Sequence, residues 1–243
     1  MPSATRATRI GMIVPSSNTC LEPQSYRILG GRDDVTIHFA RIPVTRIALD
    51  KSSDQQFDAA VMRSAAELLA TADVDVIAWN GTSGSWLGAD HDRRLVEEIT
   101  NATGIPATTS TLAYMEAFGS FGTERIGLFT PYTGDVNEQI IASYEQDGIK
   151  TVDHRFLGLS DNESFARVAD DEMRPGSLQL AESRPDAIIY LCTNLYGANI
   201  AADIETATGI PVLDSVAVTL WHCLRMAGAP LLDPRWGRLL TSP

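Results

Sequence analysis

Arg9-Ile10-Gly11-Met12-Ile13-Val14-Pro15 returns 116 residues later as Arg125-Ile126-Gly127-Leu128-Phe129-Thr130-Pro131. A long-period repeat is the signature of a duplicated unit, and two further pairs follow in the same order. Asp75-Val76-Ile77-Ala78-Trp79-Asn80-Gly81-Thr82 matches Asp186-Ala187-Ile188-Ile189-Tyr190-Leu191-Cys192-Thr193, and Ala102-Thr103-Gly104-Ile105-Pro106 matches Ala207-Thr208-Gly209-Ile210-Pro211. Their offsets, 111 and 105, lie close to half of the 243-residue chain and drift as small insertions would make them. Three matches in one order read as two homologous halves.

Each half carries the same rhythm of elements. Short β-branched or apolar runs fall at 9–14, 35–40, 75–80 and 105–108, then at 125–130, 151–157, 187–191 and 211–213. Helical patterns lie between them. In 53–72, Phe57, Val61, Ala65, Leu68 and Leu69 share one face at a period of 3.6. In 214–228, Val216, Leu220, Leu224 and Met226 form a rougher stripe. Strands alternating with helices imply parallel βαβ units with right-handed crossovers. The expected fold is therefore α/β: two pseudo-symmetric lobes, each a four-stranded, mainly parallel sheet flanked by helices, with a cleft between them. The first lobe is expected to hold 1–110 and about 215–243, the second 111–214.

Ligands of such sheets bind beyond the carboxyl ends of the strands. Four small polar loops occupy that position: Pro15-Ser16-Ser17-Asn18, Gly81-Thr82-Ser83-Gly84-Ser85, Pro131-Tyr132-Thr133 and Cys192-Thr193-Asn194. Each leads towards a helix N-terminus, where free N–H groups and the helix dipole favour an anion. A carboxylate or phosphate between the lobes is the physical expectation.

Composition narrows the class. Hydrophobic residues at 44% and charged residues at 21% are ordinary for a soluble globular protein. A formal net charge of −12 argues against nucleic acid or an anionic membrane as partner. The apolar run Ile10–Pro15 is too short for a secretory signal, and no stretch reaches the roughly 18 apolar residues of a membrane span. Three scattered cysteines suit a reducing compartment, so the expected location is the cytoplasm. The four histidines show no metal-ligand spacing with one another or with cysteine. No metal and no cofactor is expected, and self-association is left open.

Cys192 ends an apolar strand and opens a polar loop, where a helix N-terminus could lower the pKa of a thiol; a small core residue is the alternative. Cys223 sits mid-helix beside Trp221 and Leu224 and reads as core, while Cys20 lies near the cleft but faces its own helix. Gly81-Thr82-Ser83-Gly84-Ser85 ends in serine where the nucleophile elbow needs glycine, which leaves an anion cradle or a plain turn. Asn18 could simply cap the following helix, and Tyr132 could be a packed loop aromatic.

Taken together these pieces resemble the Asp/Glu racemase superfamily, in particular its maleate cis-trans isomerase and arylmalonate decarboxylase branch. The motifs are Gly11-x-x-x-Pro15-Ser16-Ser17-Asn18-Thr19, Gly81-Thr82-Ser83, Thr130-Pro131-Tyr132 with Asp135-Val136-Asn137, Asp161-Asn162-x-x-x-Ala166-Arg167, and Cys192-Thr193. The resemblance implies a cofactor-independent enzyme acting on a small carboxylic acid, with one catalytic position at the end of the third strand of each lobe. Racemases and maleate isomerases place a cysteine at both. Here the internal alignment sets Gly81 opposite Cys192, which resembles the single-cysteine decarboxylases. By that resemblance Thr82, Ser83, Tyr132 and the backbone at Thr193 would bind a carboxylate or enediolate. Asn18 and Asn162 instead resemble the carboxylate grips of the isomerases.

Chemistry favours the single-cysteine side. Two-base racemisation takes a proton from one face and returns it to the other, whereas decarboxylation asks one acid to protonate an enediolate. The preferred reading is a decarboxylase with Cys192 as that acid. A cis-trans isomerase or racemase of a small dicarboxylate, with Cys192 as nucleophile, is the alternative. A hydrolase using Ser83 lacks a placed base, and a non-catalytic carboxylate-binding protein stands as the reading from another class. Ile42, Val44 and Ile47 are candidate walls around a departing carboxylate. A cysteine substituted at Gly81 is expected to supply a second acid/base on the opposite face.

Overall fold

All eight expected strands form, each within two residues of its expected ends. In the computed structural model, which describes residues 6–47, 49 and 59–241, they are β1 (Thr8–Pro15), β2 (Val35–Ile42), β3 (Val76–Trp79), β4 (Ala107–Thr109), β5 (Arg125–Thr130), β6 (Lys150–Phe156), β7 (Ala187–Tyr190) and β8 (Val212–Asp214). The two sheets have the same order, β2-β1-β3-β4 and β6-β5-β7-β8. Every pairing between these strands is parallel. Matching registers carry the duplication into three dimensions: Ile13 pairs with Trp79 as Phe129 pairs with Tyr190. β3 and β7 are buried at every residue, as strands covered by helices on both faces must be.

Ten α-helices and three short 3-10 turns (Gly197–Ile200, Pro234–Trp236 and Arg238–Thr241) complete the described residues, the α-helices being α1 (Leu21–Leu29), α2 (Ala59–Ala70), α3 (Gly84–Leu87), α4 (Ala89–Thr103), α5 (Ser110–Phe121), α6 (Gly134–Gln146), α7 (Asn162–Phe165), α8 (Asp170–Glu182), α9 (Ala201–Thr208) and α10 (Ser215–Met226). The repeated Ala-Thr-Gly-Ile-Pro is a helix stop. Gly104 and Gly209 close α4 and α9 in the left-handed region, at φ 72° and 73°. Thr103 and Thr208 each receive a hydrogen bond at Oγ1 from the N–H two residues on, both at 3.2 Å, which aims the chain into β4 and β8.

Two helical stripes differ from the expectation. In α2 the buried positions are Met62, Ala65, Ala66 and Leu69, whereas Val61 and Leu68 are exposed and Phe57 lies outside the described residues. The buried face is rotated by about one position, and Val61 and Leu68 instead line the hollow between α2 and β2. In α10, Val216, Leu220 and Leu224 are buried as expected, but Met226 at the last turn is 38% exposed. α10 leaves β8 and packs against α5, α1 and β3. Among the described residues no helix is long and apolar enough to cross a membrane.

Candidate active site

The carboxyl ends of β1, β3, β5 and β7 face one another across the join between the lobes, and the loops leaving them enclose a small cavity. Gly81, Thr82, Ser83, Tyr132, Asn162, Cys192 and Thr193 all line it. Asn18 does not. Its amide instead donates to Thr193 Oγ1 at 3.3 Å, while its carbonyl caps α1 by accepting from the N–H of Cys20 (3.0 Å) and Leu21 (2.8 Å). Asn18 is thus both the cap that its sequence position suggested and a brace behind a lining residue. Of the expected walls, Val44 and Ile47 line the cavity, but Ile42 faces a different hollow between β2 and α2.

The lobes are tied together at this point. Asn194 accepts at Oδ1 from the N–H of Thr19 and Cys20, both at 3.0 Å, and donates from Nδ2 to the Asn162 carbonyl. Asn162 Nδ2 donates to Ser17 Oγ at 2.8 Å, and Ser17 donates onward to the Val44 carbonyl. The segment after β2 crosses to the second lobe through an antiparallel bridge between Arg46 and Asp161. Beneath the Gly81 loop, Ser110 Oγ donates to Asn80 Oδ1 (3.1 Å) and Thr219 Oγ1 to Ser110 Oγ (2.9 Å), tying β3 to α5 and α10. Every member of that chain is fully buried and satisfied, a condition under which buried polar groups rigidify a site.

Cys192 is 2% exposed, and burial pushes its thiol up to about 12. A hydrogen bond from the Tyr132 hydroxyl and one from the Asn194 N–H (3.3 Å to Sγ) pull the other way, while the charge of Asp214 adds to the rise. The lowering expected from a helix N-terminus is therefore overturned. The next helical turn, Gly197–Ile200, starts five residues beyond the thiol, too far for its N–H groups to outweigh desolvation. Cys192 is held as a neutral thiol. Cys20 and Cys223 are buried and absent from the cavity wall, and burial raises both thiols.

Tyr132 is placed by packing and by hydrogen bonding. Its ring meets Trp86 edge-on at 5.6 Å and Phe165 at 5.4 Å, and its hydroxyl lies 2.8 Å from Thr82 Oγ1. Burial first, then the neighbouring thiol, raises its phenol well above the ordinary range, so it stays protonated. Among the cavity-lining residues only Cys192 and Tyr132 carry a titratable group, burial keeps both protonated, and no cationic side chain lines the cavity. Hydroxyls, amides and backbone N–H groups are left to hold an anion. The N–H groups of Thr82, Ser83 and Thr193 have no acceptor among the described residues. No three His, Cys, Asp or Glu side chains among those residues are grouped to share a cation.

Sequence reasoning missed Trp79, Trp86 and Asp214. Trp79 lines the cavity and donates from Nε1 to Ser83 Oγ at 3.1 Å. A Cβ added to Gly81 would lie 2.3 Å from Trp79 Cζ2, so a cysteine at 81 does not fit beside this indole. Gly81 is not in a positive-φ conformation, so the obstacle is the tryptophan and not the backbone. The signal was available: residues two apart on a strand point to one side, and Trp79 precedes Gly81 by two. Asp214, at the end of β8, is fully buried. It caps α10 through the N–H of Val216 (2.9 Å) and Ala217 (3.0 Å), and burial pushes its carboxyl up to about 7.

The chain is similar to known proteins in sequence and in fold. Residues 10–240 match the family described as arylmalonate decarboxylase. An arylmalonate decarboxylase from Bordetella bronchiseptica is 30% identical over 68% of this chain and 70% of its own length. A maleate isomerase from Pseudomonas putida is 27% identical over 98% of both chains. The crystal structure of the maleate isomerase from Pseudomonas putida S16 superimposes with a TM-score of 0.88, at 26% identity, over 98% of this chain and 99% of that one.

Proposed function

The chain belongs to the arylmalonate decarboxylase family of enzymes, and we propose that it is a cofactor-independent decarboxylase of a substituted malonate in which Cys192 protonates an enediolate. The observation that carries this reading is the asymmetry of the cavity. One buried, neutral thiol faces it from the second lobe, and the mirrored place in the first lobe holds Gly81 covered by an indole. One acid suits a reaction with one protonation; it does not suit two-base racemisation.

In this scheme the carboxylate that stays behind lies between the hydroxyls of Thr82, Ser83, Tyr132 and Thr193 and the free N–H groups beside them, and the Tyr132 O–H turns to it from the Cys192 thiol. The apolar side chains of Val44, Ile47 and Trp86 surround the carboxylate that leaves, withholding solvation from its charge. The C–C bond breaks, its electron pair passes into an enediolate, and CO2 departs. The Cys192 S–H then gives its proton to the α-carbon, and the thiolate regains a proton from water. Negative charge that grows on the retained carboxylate strengthens each donor's hold, an effect worth ~2.7–4 kcal/mol per donor in other enzymes.

A maleate-isomerase-like reaction is the second reading, because relatives with that activity match almost the whole chain. It would use a thiolate, and the two readings part in their pH dependence. A thiol acid with a pKa of about 12 gives a rate that holds level on its alkaline side up to about pH 10. A thiolate nucleophile gives a rate that climbs tenfold per pH unit over the same range. The test measures CO2 release from aryl- and alkylmalonates and conversion of maleate to fumarate, in D2O, across that range. Decarboxylation with one deuterium added to a single face supports the proposal. Conversion of maleate with a rising pH profile and no CO2 refutes it.

A further inference from the structure

The two lobes place an aromatic residue at equivalent positions, Trp79 on β3 and Tyr190 on β7, each two residues before the mirrored pair Gly81 and Cys192. The two rings go different ways. Tyr190 turns towards α8, where its hydroxyl lies 2.7 Å from Ser177 Oγ, and this leaves room for the Cys192 side chain. Trp79 folds over Gly81 instead. A Cβ at 81 would meet indole atoms Cζ2, Cε2 and Cη2 at 2.3, 2.5 and 2.9 Å. The indole is held there, 1% exposed, by its N–H bond to Ser83 Oγ (3.1 Å). Because Ser83 accepts that bond, its own O–H proton is free for a ligand.

The space left is small. The cavity has a volume of about 20 Å³, roughly the room for one water-sized sphere. Any acid must widen it. Val44 and Ile47 sit on the connection after β2, whereas Trp79 ends a central strand and is pinned at its far end. The indole is therefore a fixed wall of the site.

We infer that Trp79 is the specificity-determining residue of the site: its indole restricts the acid to one with a small substituent on the first-lobe side, and it bars a second acid/base from position 81. This rests on the reading that the acid binds between Gly81 and Cys192, and it does not require that decarboxylation be the reaction. A single cysteine substitution at 81 would not convert this enzyme to two-base chemistry; the indole must be shortened first.

The test uses covalent labelling of Cys192, which needs no turnover. Iodoacetate and the bulkier 2-bromo-2-phenylacetate are reacted with wild type, Trp79→Phe and Trp79→Leu at one alkaline pH. Peptide mass mapping locates the label. The bulky-to-small rate ratio should rise at least tenfold in Trp79→Leu, with an intermediate rise in Trp79→Phe. Gly81→Ala should lower Tm in the wild-type background and cost little in the Trp79→Leu background. An unchanged ratio in either folded variant overturns the inference, and so does a Gly81→Ala protein as stable as wild type. Should Trp79→Leu fail to fold, Trp79→Phe and the Gly81→Ala variant alone still decide it. A shifted labelling ratio with no CO2 from any malonate sinks the decarboxylase reading and leaves this inference standing. Cys192-dependent CO2 release with an unshifted ratio does the reverse.

Discussion

Replacing Tyr132 by phenylalanine removes one oxygen and leaves the ring. The ring is 2% exposed and fixed edge-on between Trp86 and Phe165, so its packing survives. What goes is a hydroxyl 2.8 Å from Thr82 Oγ1 that also bonds the Cys192 thiol. Losing one preorganised donor to an enediolate costs ~2.7–4 kcal/mol, about 10²–10³ in kcat. The loss should fall on kcat with little change in KM, because the bond strengthens only as charge develops. Stability changes separately. Two buried partners lose a bond, at about 1–3 kcal/mol, and for a chain of this size that lowers Tm by about 2–12 °C. The thiol also loses the bond that restrained its pKa, so it moves further up. The assay is initial-rate decarboxylation with a Tm measured on each preparation, extended to Thr82→Val and the double variant. Strong non-additivity in kcat is expected, since the two hydroxyls act as a pair. A folded Tyr132→Phe enzyme that keeps more than about a third of wild-type kcat would refute the donor role.

Cys192→Ser should reduce turnover by orders of magnitude, because a serine hydroxyl is a far weaker acid, whereas Cys223→Ser should leave the rate per folded enzyme nearly unchanged. Equal losses in the two, with folding verified by circular dichroism, would contradict the assignment of the acid. Asp214 makes stability depend on pH. Its carboxyl rises from an ordinary 3.8 to about 7 on folding, so between those values the folded state binds more protons than the unfolded one, and stability falls as pH rises. The fall is about 4 kcal/mol, complete above pH 7. His222, half-buried and lowered to about 4 by desolvation, acts in the opposite direction, destabilising the fold as pH drops below about 6.5. Asp214→Asn keeps a capping oxygen for α10 and should therefore flatten the alkaline loss while sparing the acid one. Denaturant midpoints at pH 5, 6.5 and 8 measure this, and a variant with the wild-type profile would disprove the role given to Asp214.

Strand positions, sheet composition and the pairing of Gly81 with Cys192 were legible in the sequence because a buried parallel sheet imposes a local and repetitive demand. It requires apolar runs of fixed length, punctuated by glycine and proline, and the duplication states that demand twice. Helix faces were less legible. Val61 and Leu68 of α2 obey the period yet stay exposed at the hollow beside β2, because periodicity fixes which residues share a face and not which way the helix is turned on the sheet. The lining residues Thr82, Ser83, Tyr132 and Thr193 could be named in advance, since loops at strand ends are fixed by topology, whereas Asn162 was reached through the family resemblance. Their electrostatics could not. Cys192 stands near a helical turn in sequence, but the depth of its burial, set by both lobes closing over it, raises its thiol and keeps it neutral. Asn18 reads as a cap and proves also to brace Thr193, 175 residues away. The Trp79 indole donates to Ser83 and lies where a Cβ at position 81 would be, and only the assembled cleft decides that direction.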